Sequence, residues 1–210
     1  MKTTKISFVY RNIFVYRLIL FFLYLGQYNR RYKTIINQID LNTDKSVVEL
    51  CFGDIFIAKW CQKKNISWIG FDINDAFIKN AELKKFVVHK KYIDEKTNFG
   101  QSDLIIVSGS LYHFKNNINI FLDNILRQTN KLIIQEPVFN WIRIKFLGNF
   151  IKTFTNVNGK EYDLRFTFDE LKKIFNSLNE KNYKVQYLKP NWKDAMIVVK
   201  KVNLQKISKK

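Results

Sequence analysis

From residue 46 onward, short apolar, β-branched runs alternate with helix-length amphipathic stretches. That alternation predicts strands over residues 46–50, 68–72, 86–90, 103–108, 131–135, 184–188 and 195–202, with helices over 55–64, 76–85, 118–127 and 169–176. Leu104-Ile-Ile-Val107 and Met196-Ile-Val-Val199 are apolar without a polar face, as strands covered on both sides must be. The order predicts an α/β, three-layer Rossmann-like sandwich around a seven-stranded, mostly parallel sheet. Helix starts are signalled by Asp75 before Ala76, by Asn116-Asn117 before Ile118, and by Thr167-Phe-Asp-Glu170, which has the form of a capping box. The last two strands are joined without a helix, through Lys189-Pro-Asn-Trp-Lys193, so one strand should run antiparallel at or near the sheet edge.

The stretch 8–25 is the most apolar in the chain, but Arg11, Asn12 and Arg17 interrupt it. The clean run that remains, 18–25, is too short to span a bilayer as a helix. Internal arginines and the lack of a small-residue cleavage site argue against a signal peptide. The segment therefore reads as a retained helix, ended or bent at Gly26. It either packs on the domain that follows or lies as a monotopic anchor, with Arg30, Arg31 and Lys33 near lipid headgroups. The expected division is a helical extension over 1–39, a domain over 40–202 with an insert at 138–168, and a basic tail over 203–210.

Composition refines this picture. The chain carries 36 Lys+Arg against 18 Asp+Glu, a formal charge of +18, yet the excess sits at the ends. Residues 1–39 hold seven basic and no acidic residues, and 181–210 hold nine basic and one acidic. A nearly balanced middle with basic ends suggests solvated tails, or an anionic surface touched at the edges, rather than a continuous nucleic-acid groove. The high Lys, Asn, Ile, Phe and Tyr content resembles AT-rich coding, which weakens charge as a functional signal. Only two prolines and 47% hydrophobic residues argue against disorder. Two cysteines, Cys51 and Cys61, imply a reduced domain rather than a disulfide scaffold, hence a cytoplasmic location, with or without membrane contact through residues 8–33.

In an open α/β sheet, ligands sit beyond the carboxyl ends of the strands, where strand order reverses. The first strand's exit reads Val47-Val-Glu-Leu-Cys-Phe-Gly-Asp54. Gly53 can supply a tight turn, and the following helix offers its first amides to a polar group. Asp72, ending the second strand 19 residues later, is placed to accept hydrogen bonds from two ribose hydroxyls.

These residues resemble the class I S-adenosylmethionine-dependent methyltransferases, in which an acidic residue at a strand end leads into an Asp/Glu-x-Gly-x-Gly-x-Gly loop. Glu49, Cys51, Gly53 and Ile55 occupy those positions, so the acid and the middle glycine match while Cys51 and Ile55 replace two glycines. The resemblance implies S-adenosylmethionine as cofactor. It assigns Glu49, Cys51 and Gly53 to the loop over its methionine end, Asp72 to the ribose, Ile73 to the adenine flank, and Ser108 to the strand end beneath it. The segment Ser108-Gly-Ser-Leu-Tyr-His-Phe114 is similar to the family's substrate-facing strand end, and Gln135-Glu-Pro137 to the end of its fifth strand. The family's usual acid after the third strand is replaced by Lys91-Tyr92, with Asp94 further on.

Tyr112, His113 and Glu136 are the catalytic candidates, with a general base needed only for a hydroxyl acceptor. His113 reads either as that base or as a ring packed under the cofactor, Glu136 as base or cap, and Tyr112 as orienting the acceptor or covering the pocket. Cys51 has no Cys, His or carboxylate at ligand spacing, so it reads as an inert thiol and no metal site is expected. His89 receives no role. The insert interleaves Trp141, Phe146, Phe150, Phe154, Tyr162, Phe166 and Phe168 with Arg143, Lys145, Lys152 and Arg165, as a lid or an acceptor-binding surface would. No Asn-Pro-Pro-Tyr-type segment follows the fourth strand, which argues against DNA adenine methylation. The expected function is methyl transfer to a small or medium acceptor such as a sugar, lipid-linked compound or metabolite. The alternative is a cofactor-free, methyltransferase-like module whose basic ends bind RNA, an acidic partner or a membrane.

Overall fold

The apolar runs assemble into one sheet. In a computed structural model that describes residues 8–138, 165–191 and 193–202, the strands are β1 (Ser46–Leu50), β2 (Ser67–Asp72), β3 (Val87–Lys90), β4 (Ser102–Ser108), β5 (Thr129–Pro137), β6 (Tyr183–Leu188) and β7 (Asp194–Lys201). They lie in the order β3-β2-β1-β4-β5-β7-β6. β1 to β5 pair in parallel, while β7 runs antiparallel to both neighbours, as the helix-free final connection predicts. Strand order reverses between β1 and β4, which creates the crevice in which such sheets bind ligands.

Helices cover both faces: α1 (Ile13–Leu23), α2 (Tyr28–Ile36), α3 (Phe56–Lys63), α4 (Asp75–Glu82), α5 (Ile118–Arg127) and α6 (Phe168–Asn176). The pleat divides the central strands between two cores. Ile105 and Val107 of β4 join Phe121 and Ile125 of α5 and Leu171 and Phe175 of α6 on one side. Leu104 and Ile106 join Tyr32 and Ile35 of α2, Ile57 and Cys61 of α3, and Phe77 and Ala81 of α4 on the other. This is the expected three-layer sandwich.

The capping chemistry matches the sequence at α6, where Glu170 N–H donates to Thr167 Oγ1 at 3.2 Å and Thr167 N–H to Glu170 Oε2 at 2.7 Å. At α4 the cap is Asn74, whose Oδ1 accepts from Ala76 N–H at 2.9 Å, and Asp75 already lies in the first turn. Before α5 a 3-10 helix over Leu111–Asn117 runs straight into the α-helix, so Asn117 needs no side-chain cap.

The extension differs from the single helix expected over 8–25. Phe8–Arg11 forms a 3-10 helix, Asn12 breaks out of helical geometry and caps α1, and Gly26 at φ +77° ends the helix region. A second helix, α2, follows, and Tyr28, Arg31, Tyr32 and Ile35 are its buried side. Tyr24, Tyr28, Tyr32 and Ile39 belong to the second core, so the extension shares the domain's apolar interior. Behind it, Lys131 of β5 donates to Asp44 at 2.7 Å in a buried ion pair and also reaches Gln38 O, tying the 37–45 connection to the sheet. Residues 139–164 of the expected insert and 203–210 of the basic tail lie outside the described residues.

Candidate active site at the carboxyl edge of the sheet

At the reversal point the chain leaves β1 with Cys51 at φ 52° and Gly53 at φ 57°. Two left-handed residues in three turn the backbone sharply, and the strain of a Cβ in that region falls on Cys51. Gly53 N–H donates to Asp72 Oδ2 at 3.2 Å, and Asn74 N–H donates to Oδ1 at 2.8 Å. Asp72 thus joins the β1 exit loop to the β2 exit loop, with each oxygen retaining lone-pair capacity for a hydroxyl donor. Burial pushes its carboxyl up to about 6, against the opposing pull of the Asn74 and Gly53 amides. Ile73 beside it is 56% exposed, an apolar surface available to a flat ring.

Glu49 is fully buried, with Oε2 accepting from Trp68 Nε1 at 3.0 Å and Oε1 unsatisfied. Burial raises its carboxyl well above the ordinary range, opposed by the Trp68 hydrogen bond. Cys51 is a free thiol that burial pushes up to about 12, so it is no nucleophile at neutral pH. Ile55, where the family loop has glycine, is fully buried in the second core and immediately precedes α3. Its side chain packs in that core rather than over the loop.

The β4 side carries the catalytic candidates. Ser108 Oγ has no hydrogen-bond partner among the described residues, and Gly109 at φ +71° donates its N–H to Gln135 O at 2.7 Å. Tyr112 is buried, His113 is exposed, and their rings lie 4.0 Å apart. The 3-10 turn holds Leu111, Tyr112 and Phe114 inward and leaves His113 on the outer side of the turn, its ring against Tyr112. Glu136 Oε2 accepts from Leu111 N–H at 3.1 Å, which makes it a cap for that turn. Its other oxygen lies 3.6 Å from Arg165 Nη1, and Arg165 stacks 3.9 Å over the Tyr112 ring. Burial lifts Glu136 to about 7 in spite of Arg165 and the Leu111 amide, so it sits near half-protonation at neutral pH.

Residues absent from the expected site close it from above. Arg17 makes a bidentate pair with Asp54 at 2.9 and 2.7 Å, and Tyr28 Oη donates to the same carboxylate at 3.0 Å. Asn74 Nδ2 donates to Tyr10 O at 2.8 Å. A Cβ on Gly53 would lie 2.9 Å from Tyr16 Oη, and one on Gly109 would overlap Arg31 Nη2. Arg31, which the anchor alternative would put near lipid headgroups, is 5% exposed and turned toward the β4 exit. The four-residue spacing of Tyr24, Tyr28 and Tyr32 was the available signal for this inward face. Asp94, the nearest acid after β3, is exposed, with Oδ1 accepting from Lys96 N–H and Thr97 Oγ1 in a local turn. Among the described residues no cluster of His, Cys, Asp and Glu could hold a metal ion.

No protein-family model matches the chain, and no curated protein matches it by sequence. Solved structures do match in shape. A SAM-dependent methyltransferase from Archaeoglobus fulgidus shares 16% identity, with 89% of this chain and 99% of that one covered, at a TM-score of 0.63. The methyltransferase domain of bacterial CtHen1 shares 16% identity over 84% and 99%, at 0.61. An O-methyltransferase family protein from Burkholderia thailandensis shares 11% over 91% and 60%, at 0.63. Together with the sheet order and the reversed terminal hairpin, these likenesses give the chain the class I methyltransferase fold.

Proposed function

We propose that the protein is an S-adenosylmethionine-dependent methyltransferase acting on a small or medium acceptor. The observation that carries this reading is the pairing of Asp72 with the Gly53 amide across the reversal point of a methyltransferase-type sheet. The residues fit the cofactor. Asp72 has spare acceptor capacity for ribose hydroxyls, Glu49 near the end of β1 a buried oxygen without a hydrogen bond among the described residues, Ser108 a hydroxyl likewise without one, and Ile73 an exposed apolar surface. The cofactor supplies an activated methyl on a sulfonium, so the protein's task is alignment and exclusion of water. Ser108 and Tyr112 would line the acceptor side, with Tyr112 held by Arg165. Glu136 near neutrality could take a proton from a hydroxyl acceptor, and exposed His113 could pass one to solvent. Titration calorimetry with S-adenosylmethionine and S-adenosylhomocysteine tests the reading. Micromolar binding, weakened at least ~10-fold in Asp72→Ala by the loss of charge-assisted hydrogen bonds, is expected. A folded protein that binds neither ligand would sink it.

A second reading has an observation of its own. The outward side of α1 presents Phe14, Leu18, Phe21 and Phe22, with Leu25 just beyond, all at least 46% exposed, in a segment without an acidic residue. Membrane-surface contact through residues 8–33 accounts for that face, with or without catalysis. Nucleic-acid binding is less favoured, because the basic excess lies at the chain ends.

A further inference from the structure

We propose that residues 8–23 are a plug: they occupy the crevice at the reversal point, and a ligand reaches Asp72 only when they lift away. Asp72 is 6% exposed, so a carboxylate proposed to take ribose hydroxyls is closed off from solvent. The two amides that hold it, those of Gly53 and Asn74, belong to the residues on which the N-terminal segment rests. Tyr16 Oη stands 2.9 Å from where a Cβ on Gly53 would be, and Asn74 Nδ2 donates to Tyr10 O at 2.8 Å. Tyr16 also packs edge-on against Phe77 in the first turn of α4, ring centroids 4.9 Å apart. The segment therefore bridges the β1 and β2 exits, across the loops that Asp72 joins. It takes the space that a glycine at a strand exit leaves for a ligand.

What holds this segment is slight compared with what holds α2. No residue of α1 is buried, whereas Tyr28, Arg31, Tyr32 and Ile35 of α2 are. Its polar ties include the Arg17–Asp54 pair, with the Arg17 side chain 39% exposed, and the Asn74–Tyr10 hydrogen bond. Elements with few buried apolar contacts open locally at a small fraction of the cost of global unfolding. Behind α1, Tyr24 is 4% exposed and its Oη donates to Asp194 at 3.0 Å, which pins the end of the helix. Residues 8–23 can thus lift about Tyr24 while α2 and the sheet stay in place. A closed state that excludes ligand reduces apparent affinity in proportion to the open fraction.

The choice of S-adenosylhomocysteine as probe rests on the methyltransferase reading; the plug itself does not. Two variants loosen the segment without touching Asp72. Arg17→Ala removes the pair with Asp54, and Asn12→Ala removes the Oδ1 that caps α1 by accepting from Phe14 N–H at 2.8 Å. Calorimetry should find both binding S-adenosylhomocysteine ~5-fold or more tightly than wild type, the factor by which losing a cap or a screened pair raises the open fraction. Binding seen only in the variants is the extreme of that result. Hydrogen exchange gives the sign directly. Without ligand, amides over 13–23 should exchange well before those of β1 and β4, and saturating ligand should speed them further. Equal or weaker binding by both variants, or slower exchange over 13–23 with ligand, makes the segment a lid that closes on its ligand and overturns the proposal. If no form binds, the methyltransferase reading falls and exchange alone decides: opening of 13–23 with the sheet still protected upholds the plug, and exchange of both at one rate overturns it.

Discussion

Asp72 holds two exit loops together, and under the proposed function it also binds the ribose. Its carboxyl is raised to about 6 because burial outweighs the backbone hydrogen bonds from Asn74, Gly53 and Ile73. Below about pH 4 it is protonated in folded and unfolded chains alike. Between there and about 6 only the folded form keeps the proton, so stability from this group falls as pH rises, by roughly 3 kcal/mol in all. Asp72→Asn should flatten that slope in denaturant unfolding measured from pH 4 to 7. Binding runs the other way, because ribose hydroxyls need the ionised acceptor: affinity for S-adenosylhomocysteine should drop as pH falls below about 6, and a pH-independent Kd would place the ribose elsewhere. A second residue-scale outcome concerns Gly109. Alanine there meets both a left-handed φ and Arg31 Nη2. Gly109→Ala should cost about 1–3 kcal/mol, and the double variant with Arg31→Met should cost less than the sum, since only the φ penalty survives. Additive costs would mean that the two residues do not touch.

At the scale of elements, the legible parts were those whose signal is local. Strand runs such as Leu104-Ile-Ile-Val107 declare themselves by being apolar on both faces, and the Thr167–Glu170 box by its spacing. The turn after β1 was legible from Gly53, and the position of Asp72 at the end of β2 from the apolar run before it. What stayed hidden depends on long-range contact. Nothing near Arg17 announces Asp54, 37 residues away, and the exposed setting of His113 follows from a 3-10 turn that its neighbours impose. Ile55 reads as a conflict in the motif and resolves only when α3 carries its side chain into the core. The Arg17–Asp54 pair is the latch between α1 and the β1 exit loop. Arg17 is partly exposed, so its contribution is screened, and Arg17→Ala should destabilise by only about 1–2 kcal/mol. The more sensitive readout is limited proteolysis. Cleavage around residues 24–27 should accelerate in the variant while the sheet survives as a resistant fragment, and an unchanged pattern would show that apolar packing alone holds α1 down.

Over the whole molecule, α1 has two sides with different fates. Inward, Tyr16 and Arg17 cover Gly53 and Asp54 of the β1 exit loop; outward, Phe14, Leu18, Phe21 and Phe22 face solvent. No helix among the described residues is long and apolar enough to cross a membrane, so lipid contact would have to be in the interfacial plane. The chain's charge of +18 and the acid-free first 39 residues select an anionic surface rather than a neutral one. Vesicles of phosphatidylcholine containing phosphatidylglycerol should therefore sediment with the protein, those of phosphatidylcholine alone should do so weakly, and salt should reduce binding through screening. Replacing Phe21 and Phe22 together by glutamate should abolish the association without disturbing the core, because both side chains are at least 49% exposed. Salt-insensitive binding to neutral vesicles would remove the charge from the argument, and concentration-dependent self-association lost in the same double variant would assign the face to a second copy of the chain. If vesicles do bind, the helix that touches lipid is also the one that covers the β1 exit loop, so docking and access to the proposed site would be mechanically linked through the Arg17–Asp54 latch.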